Sequence, residues 1–108
     1  PAIDKDAMIE QMGAFDEMAI EMLGIFVDMT RPQIGQIEEA LAAGDFKNLR
    51  ELGHSLKGAA RSACCPALGD LAARLQDDAD AQKPVADLVA EILGEFKRVE
   101  EEISALQK

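Results

Sequence analysis

The C-terminal segment constrains the fold more than any other part of the chain, because its apolar residues recur at steps of three and four. This alternation continues over about 23 residues, which corresponds to about 35 Å of α-helix. All members of the series then lie on one side of that helix. The pattern predicts a single long amphipathic helix that starts at Pro84. Its apolar positions are Val85, Leu88, Ile92, Phe96, Val99, Ile103 and Leu106.

Capping residues and prolines indicate further helices in the rest of the chain. A short first helix is predicted over about Lys5–Met12, with Asp4 as its N-cap and Gly13 as the residue that ends it. Another helix is predicted over about Phe46–Ala63, and Pro66 suits the first turn of the helix that follows.

The second helix is predicted to begin after the N-cap Asp16 and to end at Gly44, just before the next cap. Pro32 interrupts it, so we expect either one long kinked helix or two nearly continuous ones. Apolar residues at steps of four, three and four mark its first half. They are Met18, Met22, Ile25 and Met29.

No segment alternates with the period of two that marks a strand, and no hairpin turn is recognisable. Aromatic residues make up only 4% of the chain, and Trp and Tyr are absent, which suits helices better than sheets. Short connections make consecutive helices antiparallel neighbours. We therefore predict one all-α domain over residues 1–108, an up-and-down antiparallel four-helix bundle with a short additional N-terminal helix.

The formal charge of −10 repels nucleic acid and anionic lipid, so neither is an expected partner. No apolar run reaches the roughly 18 residues of a membrane span, and residues 1–10 do not resemble a signal peptide. The cysteines, Cys64 and Cys65, are adjacent and cannot link distant segments. These features favour a cytoplasmic protein, and nothing in the sequence argues for an obligate oligomer, so a monomer is expected.

The only histidine, His54, falls on the solvent side of the predicted third helix. At about 100° per residue, Leu49, Leu52 and Leu56 cluster on the core side, whereas His54 lies almost opposite. Basic residues surround it on the same face, in a chain that is otherwise acidic. They are Lys47, Arg50, Lys57 and Arg61.

Two glycines lie inside this helix, where each costs about 1 kcal/mol relative to alanine. Gly53 faces the edge of the core and is explained by close helix packing. Gly58 lies one turn after His54 on the exposed side, where packing within the domain explains nothing. A missing side chain there leaves room for another molecule to reach the imidazole.

A neutral imidazole on such a face can act as a nucleophile. Lys57 and Arg61 lie one and two turns further along and can offset the charge of a phosphoryl group. A convex face with one histidine lacks the cleft and second catalytic group of a hydrolytic enzyme. The alternative, which composition alone would favour, is that this basic helix face is ordinary solvated surface.

The residues around His54 resemble the H-x-L-K-G signature of histidine phosphotransfer (HPt) domains, and the helix that follows resembles the next helix of that family. The resemblance covers nearly the whole chain and implies a phosphoryl carrier of two-component phosphorelays without a kinase or phosphatase site of its own. The matching residues are His54-Ser55-Leu56-Lys57-Gly58, then Leu68, Ala72, Leu75 and Gln76. The family usually has glycine where this chain has Cys64.

The resemblance also implies a role for each matching residue. His54 would exchange a phosphoryl group, on its outer ring nitrogen, with the aspartate of a receiver domain. Lys57 would neutralise that group, Gly58 would admit the receiver's loops, and Gln76 would orient the imidazole. Receiver domains are the implied partners, with a hybrid histidine kinase as a further candidate. Mg²⁺ would belong to the receiver, so no cofactor or metal is expected on this chain.

A docking surface for the receiver is predicted on the first helix, if that helix lies beside His54. Its candidates are Met8, Ile9, Met12 and Phe15, and Arg50 joins them as a partner-contacting residue. Two other interpretations stay open. One is the N-terminal phosphoacceptor domain of a chemotaxis-type histidine kinase, and the other is a purely structural or adaptor bundle.

Overall fold

The helices form a closed ring of four with a fifth, short helix at one end, as a computed structural model of all 108 residues shows. Helix α3 contacts α2 and α4, and α5 contacts the same two helices, so α3 and α5 occupy diagonal corners of the bundle. The predicted all-α fold is confirmed. No helix combines the length and the hydropathy that crossing a membrane requires. The helices are α1 (Lys5–Met12), α2 (Glu17–Ala43), α3 (Phe46–Ser62), α4 (Pro66–Asp80) and α5 (Ala86–Leu106).

The helix ends follow the capping chemistry that the sequence predicts. The carboxylates of Asp4, Asp16 and Asp45 each accept a hydrogen bond from the backbone N–H three residues later, at 3.0, 3.3 and 3.1 Å. Gly13 and Gly44 end α1 and α2 with φ angles of 85° and 65°, which glycine adopts without strain. Local interactions therefore set both ends of α1 and α2 and the start of α3.

Two of the predictions concern prolines, one inside α2 and one at the start of the last helix. Helix α2 passes through Pro32 without a break, although Pro32 has no N–H to donate to the preceding turn. The predicted start of the last helix at Pro84 is wrong, because α5 begins at Ala86. Val85 lies just before that start and is only 3% exposed. Its backbone, with φ −126° and ψ 10°, follows the packing of its side chain rather than continuing a helix from Pro84.

The N-terminal segment closes one end of the bundle and thereby positions α1. The carboxylate of Glu102, on α5, accepts hydrogen bonds from the backbone N–H groups of Ala2 and Ile3, and both residues are buried. The N–H of Asp4 donates to the carbonyl of Cys64 at 2.8 Å. Helix α1 is consequently fixed against the turn between α3 and α4.

The two cysteines are free, small and buried residues of that turn. Cys64 has a φ of 59°, in the left-handed region that favours glycine, the residue that the resemblance implies at this position. Burial raises the pKa of the Cys64 thiol, and burial followed by nearby negative charges raises the pKa of Cys65 to about 12. Both thiols therefore stay protonated near neutral pH, in the less reactive form of cysteine.

Candidate functional site

His54 lies in the middle of α3 and is exposed to solvent. The buried side of the helix is formed by Leu49, Gly53, Leu56 and Ala60, so the orientation predicted by the helical wheel is confirmed. The imidazole makes no hydrogen bond or ion pair with any other side chain of the protein. Both of its ring nitrogens are thus available to a reaction partner.

The four basic residues near His54 fall into two pairs with different surroundings. Arg50 forms an ion pair with Asp80 at 3.3 Å, and Arg61 forms one with Asp70 at 3.5 Å. Both acceptors lie on α4. Lys47 and Lys57 form no ion pair, and Lys57 is half-buried. The cation that remains uncompensated one turn from the histidine is therefore Lys57.

Gly53, the residue before His54, brings α3 and α4 into close contact. A Cβ at this position would lie 2.8 Å from the backbone nitrogen of Gln76 and 3.0 Å from the carbonyl oxygen of Ala72. This contact fixes Gln76 at the level of His54. The Gln76 side chain makes no hydrogen bond to the imidazole, and its buried Oε1 has no partner. Its orienting role is not tested by this structure and stays a prediction.

The substitution Gly53→Ala should destabilise the protein, because the new methyl group would meet backbone atoms that cannot rotate away. We expect the free energy of unfolding to fall by about 1–2 kcal/mol, the overpacking penalty outweighing the gain in helix propensity. Denaturant unfolding would measure the change. Gly35→Ala is the matched control, since a Cβ there meets nothing within 4 Å, and it should stabilise. A Gly53→Ala variant as stable as this control would contradict the close-contact interpretation.

Gly58 is exposed, and a Cβ added to it would meet nothing within 4 Å. The fold itself therefore gives no reason for glycine here, as the sequence predicts. His54, Lys57 and Gly58 together form an open strip of α3 in which the histidine is uncovered and flanked by a free cation. No group of three or more His, Cys, Asp or Glu side chains is arranged to hold a metal ion.

Comparison with known proteins shows the family of the chain. The family model of the Hpt domain matches residues 21–108. The chain belongs to the Hpt family. It is therefore a phosphotransfer intermediate of phosphorelays, in which Hpt domains work with histidine kinases and receiver domains.

Two solved structures share the fold of this Hpt domain. Histidine-containing phosphotransfer protein B (HptB) from Pseudomonas aeruginosa PAO1 superposes with a TM-score of 0.82 at 24% identity, over 97% of this chain and 93% of its own. The HPT domain of the Hpt sensor hybrid histidine kinase from Shewanella superposes with a TM-score of 0.79 at 24% identity, over 97% and 92%. No curated protein sequence matches the chain.

The docking residues predicted on α1 of the Hpt domain are only partly placed as expected. Helix α1 lies at the C-terminal end of α3, where Gln11 donates to the carbonyl of Ser62 at 3.2 Å, about two turns beyond His54. Met8 is only 2% exposed, because its side chain packs between α1 and the bundle, although it lines a groove together with Met12. Met12 and Phe15 are half-buried, and Ile9 is 43% exposed.

The main apolar surface of the Hpt domain lies on α2 instead. Five large hydrophobic residues are exposed in the whole chain, and four of them form the methionine-rich stripe of α2. The stripe borders a groove between α1, α2 and α3 that Met12 and Ala59 also line. We call this surface the α2 stripe. It consists of Met18, Met22, Ile25 and Met29, which are 66%, 50%, 52% and 70% exposed.

The α2 stripe leads toward the histidine. Met29 lines the groove beside Ala59, one residue after Gly58. One turn further along α2, Gln33 donates to the hydroxyl of Ser55 at 3.4 Å, and Ser55 directly follows His54. An apolar surface and the open histidine are therefore continuous, although the sequence interpretation took the docking surface to lie on α1.

Proposed function

We propose that His54 is the phosphoryl-carrying residue of this Hpt domain and that it exchanges the group with receiver aspartates. The observation that carries the proposal is that the only histidine of the chain is exposed at the centre of α3, beside a free lysine and an open glycine. Family membership argues against a purely structural bundle.

In the forward step, a neutral imidazole nitrogen attacks the phosphorus of the receiver's aspartyl phosphate. An N–P bond forms, the acyl O–P bond breaks, and the aspartate carboxylate leaves. In the second step a carboxylate oxygen of another aspartate attacks the phosphorus, an O–P bond forms, the N–P bond breaks, and the imidazole is released. Such transfer depends mainly on positioning and on charge neutralisation. We assign the neutralising charge on this chain to Lys57, with Arg61 two turns away, and the Mg²⁺ to the receiver.

The exposure of His54 suits a carrier whose reaction site is completed by its partner. His54 lines none of the five principal grooves of the molecule. We also propose a cytoplasmic location, because the two free cysteines suit a reducing compartment.

The α2 stripe is the surface that we propose a receiver covers during transfer. Exposed apolar residues gathered on one face usually mark a protein interaction site. Methionine is flexible enough to pack against different partners, which suits a carrier that must accept from one domain and donate to another. Because the α2 stripe is continuous with Ser55 and Gly58, His54 would lie at the margin of the surface that the receiver covers.

The direct test is to incubate the protein with receivers that have been phosphorylated on aspartate. Phosphohistidine is labile in acid and stable in alkali, so label that appears on this chain should survive alkali and disappear in acid. If no receiver from the same genome transfers label, the proposal fails. If only an ATP-dependent kinase phosphorylates the chain, the chemotaxis-type phosphoacceptor interpretation is supported instead.

The substitution Lys57→Ala should slow transfer by about fivefold without unfolding the domain, since it removes one partly exposed charge next to the phosphoryl group. The rate of label transfer and the lifetime of the phosphohistidine are the measurements. Lys47→Ala is the control, because Lys47 is also unpaired but lies two turns before His54. Equal effects of the two variants would mean that Lys57 acts only through the overall charge.

Placing a charge in the α2 stripe, as in Met29→Glu, should raise the domain concentration needed for half-maximal transfer by about tenfold. A methionine side chain that becomes buried against the receiver contributes about 1.5–3 kcal/mol to binding. A carboxylate in its place must lose its hydration when the receiver docks. Ala105→Glu introduces the same charge on an exposed part of α5 and should leave transfer unchanged. Unaltered transfer by Met29→Glu would place receiver docking elsewhere.

A further inference from the structure

The outer side of α5 is an unpartnered helix face with an unusual order of charges. Its residues recur at steps of four and three, the spacing that keeps one side of a helix in contact with another helix. All of them are exposed. Because α5 is diagonal to α3 in the bundle, this α5 face points away from His54. It consists of Lys83 in the preceding turn, then Asp87, Ala90, Gly94, Lys97 and Glu101.

The centre of the α5 face allows another helix to approach closely. Gly94 is an interior residue of α5, where glycine is less stable than alanine. A Cβ on Gly94 would meet nothing within 4 Å, so packing within the chain does not require glycine. With Ala90 one turn earlier, the face has almost no side-chain bulk at its middle.

The charged residues of the α5 face have no partner within the chain. None of Asp87, Lys97 and Glu101 takes part in any of the ion pairs of the protein, and neither does Lys83. The order of positive and negative charges along the face is such that a second copy of α5 running in the opposite direction would present the opposite charge at each charged position. If two copies of α5 lie antiparallel and centred between Ala90 and Gly94, Asp87 of one copy faces Lys97 of the other.

The same reversal places Glu101 opposite Lys83 and Ala90 opposite Gly94. A parallel, in-register pair would instead put every charge opposite itself, which is repulsive. In an antiparallel pair of helices, residues at the same position along the shared axis pack against each other, and these are the pairs that the reversal brings together. The charge pattern therefore selects both the occupant, a second copy of the chain, and its direction.

We propose that α5 mediates a weak, symmetric association of two copies of this protein through antiparallel packing of the α5 face. A two-fold axis makes each contact occur twice. The apolar flank of α5 toward α2 would be partly covered as well; it is lined by Leu41, Ala42, Ala86, Val89 and Leu93. The formal charge of −10 on each copy opposes association, so the dimer is expected only at high concentration.

Such a dimer leaves the phosphotransfer site open. Helix α3 lies at the corner opposite α5, so both His54 side chains face outward and away from the two-fold axis. The proposal does not depend on the assignment of His54, and its test requires no phosphorylated partner.

Sedimentation equilibrium of the intact protein at concentrations up to about 1 mM would measure the association. We expect Asp87→Lys alone and Lys97→Asp alone each to raise the dissociation constant at least about tenfold, because each places like charges opposite one another twice. The double variant Asp87→Lys/Lys97→Asp should restore association to within about threefold of the original. Gly94→Gln should weaken it while leaving the helix folded by circular dichroism.

Three results would overturn the proposal. The first is that the protein does not self-associate at about 1 mM. The second is that neither single variant weakens the association. The third is that the double variant is folded but does not regain the association. The last result would exclude the antiparallel pairing in particular.

Discussion

Replacing His54 with Gln will abolish phosphorylation of this protein by phosphorylated receivers. His54 is the only histidine of the chain, so no second imidazole can accept the phosphoryl group. Glutamine has an amide in place of the nucleophilic ring nitrogen and cannot form the N–P bond. The expected result is the loss of all acid-labile, alkali-stable label, measured after incubation with a receiver that labels the unaltered protein.

The fold provides a clear control for this loss. His54 is exposed and makes no side-chain hydrogen bond, so His54→Gln should change the free energy of unfolding by less than about 0.5 kcal/mol. The variant should also still bind the receiver, because the α2 stripe is intact, and should compete with the unaltered protein for it. Label that persists on folded His54→Gln would show that another residue carries the phosphoryl group.

Local chemistry explains why so much of the helical framework could be predicted. Side-chain caps at Asp4, Asp16 and Asp45, with glycines after α1 and α2, act within a single turn and are visible in the sequence. The start of α5 depended instead on a tertiary contact. Val85 is buried at the end of the bundle, and no local rule shows that its packing will delay the helix beyond Pro84.

The site also combines features that depend on a single helix with features that depend on contacts between helices. Helical periodicity alone fixes His54 and Gly58 on the solvent side of α3, because residues of one helix keep their relative angles. The ion pairs of Arg50 and Arg61 could not be predicted from α3, since their acceptors lie on α4. How α4 is rotated against α3 is decided at the contact around Gly53.

The α2 stripe shows what periodicity leaves undetermined. Helix α2 is apolar on two adjacent sides, and the side that contains Leu23, Val27 and Ile34 is the one that enters the core. Which of the two sides is buried depends on the neighbouring helices and not on α2 itself. The excess of apolar residues was nevertheless a usable signal, because a helix that is apolar over more than one face has surface left for a partner.

Replacing Gly58 with Gln should slow transfer although it stabilises the fold. A Cβ at Gly58 meets nothing within 4 Å, so glutamine fits the free protein and improves helix propensity. We expect the free energy of unfolding to rise by about 0.5 kcal/mol. Transfer from a phosphorylated receiver should slow by about 10- to 100-fold, because the long side chain holds the receiver's reactive atoms away from the imidazole.

Gly94→Gln provides the matched control, since Gly94 is also exposed inside a helix with open space around it. Both variants should gain similar stability in denaturant unfolding, but only Gly58→Gln should lose transfer, because α5 lies at the corner opposite α3. If the two variants transfer equally well, the space at Gly58 is not used by a partner. If both lose transfer, the effect comes from the general change in helix stability, and the open glycine beside His54 does not mark the approach of the receiver.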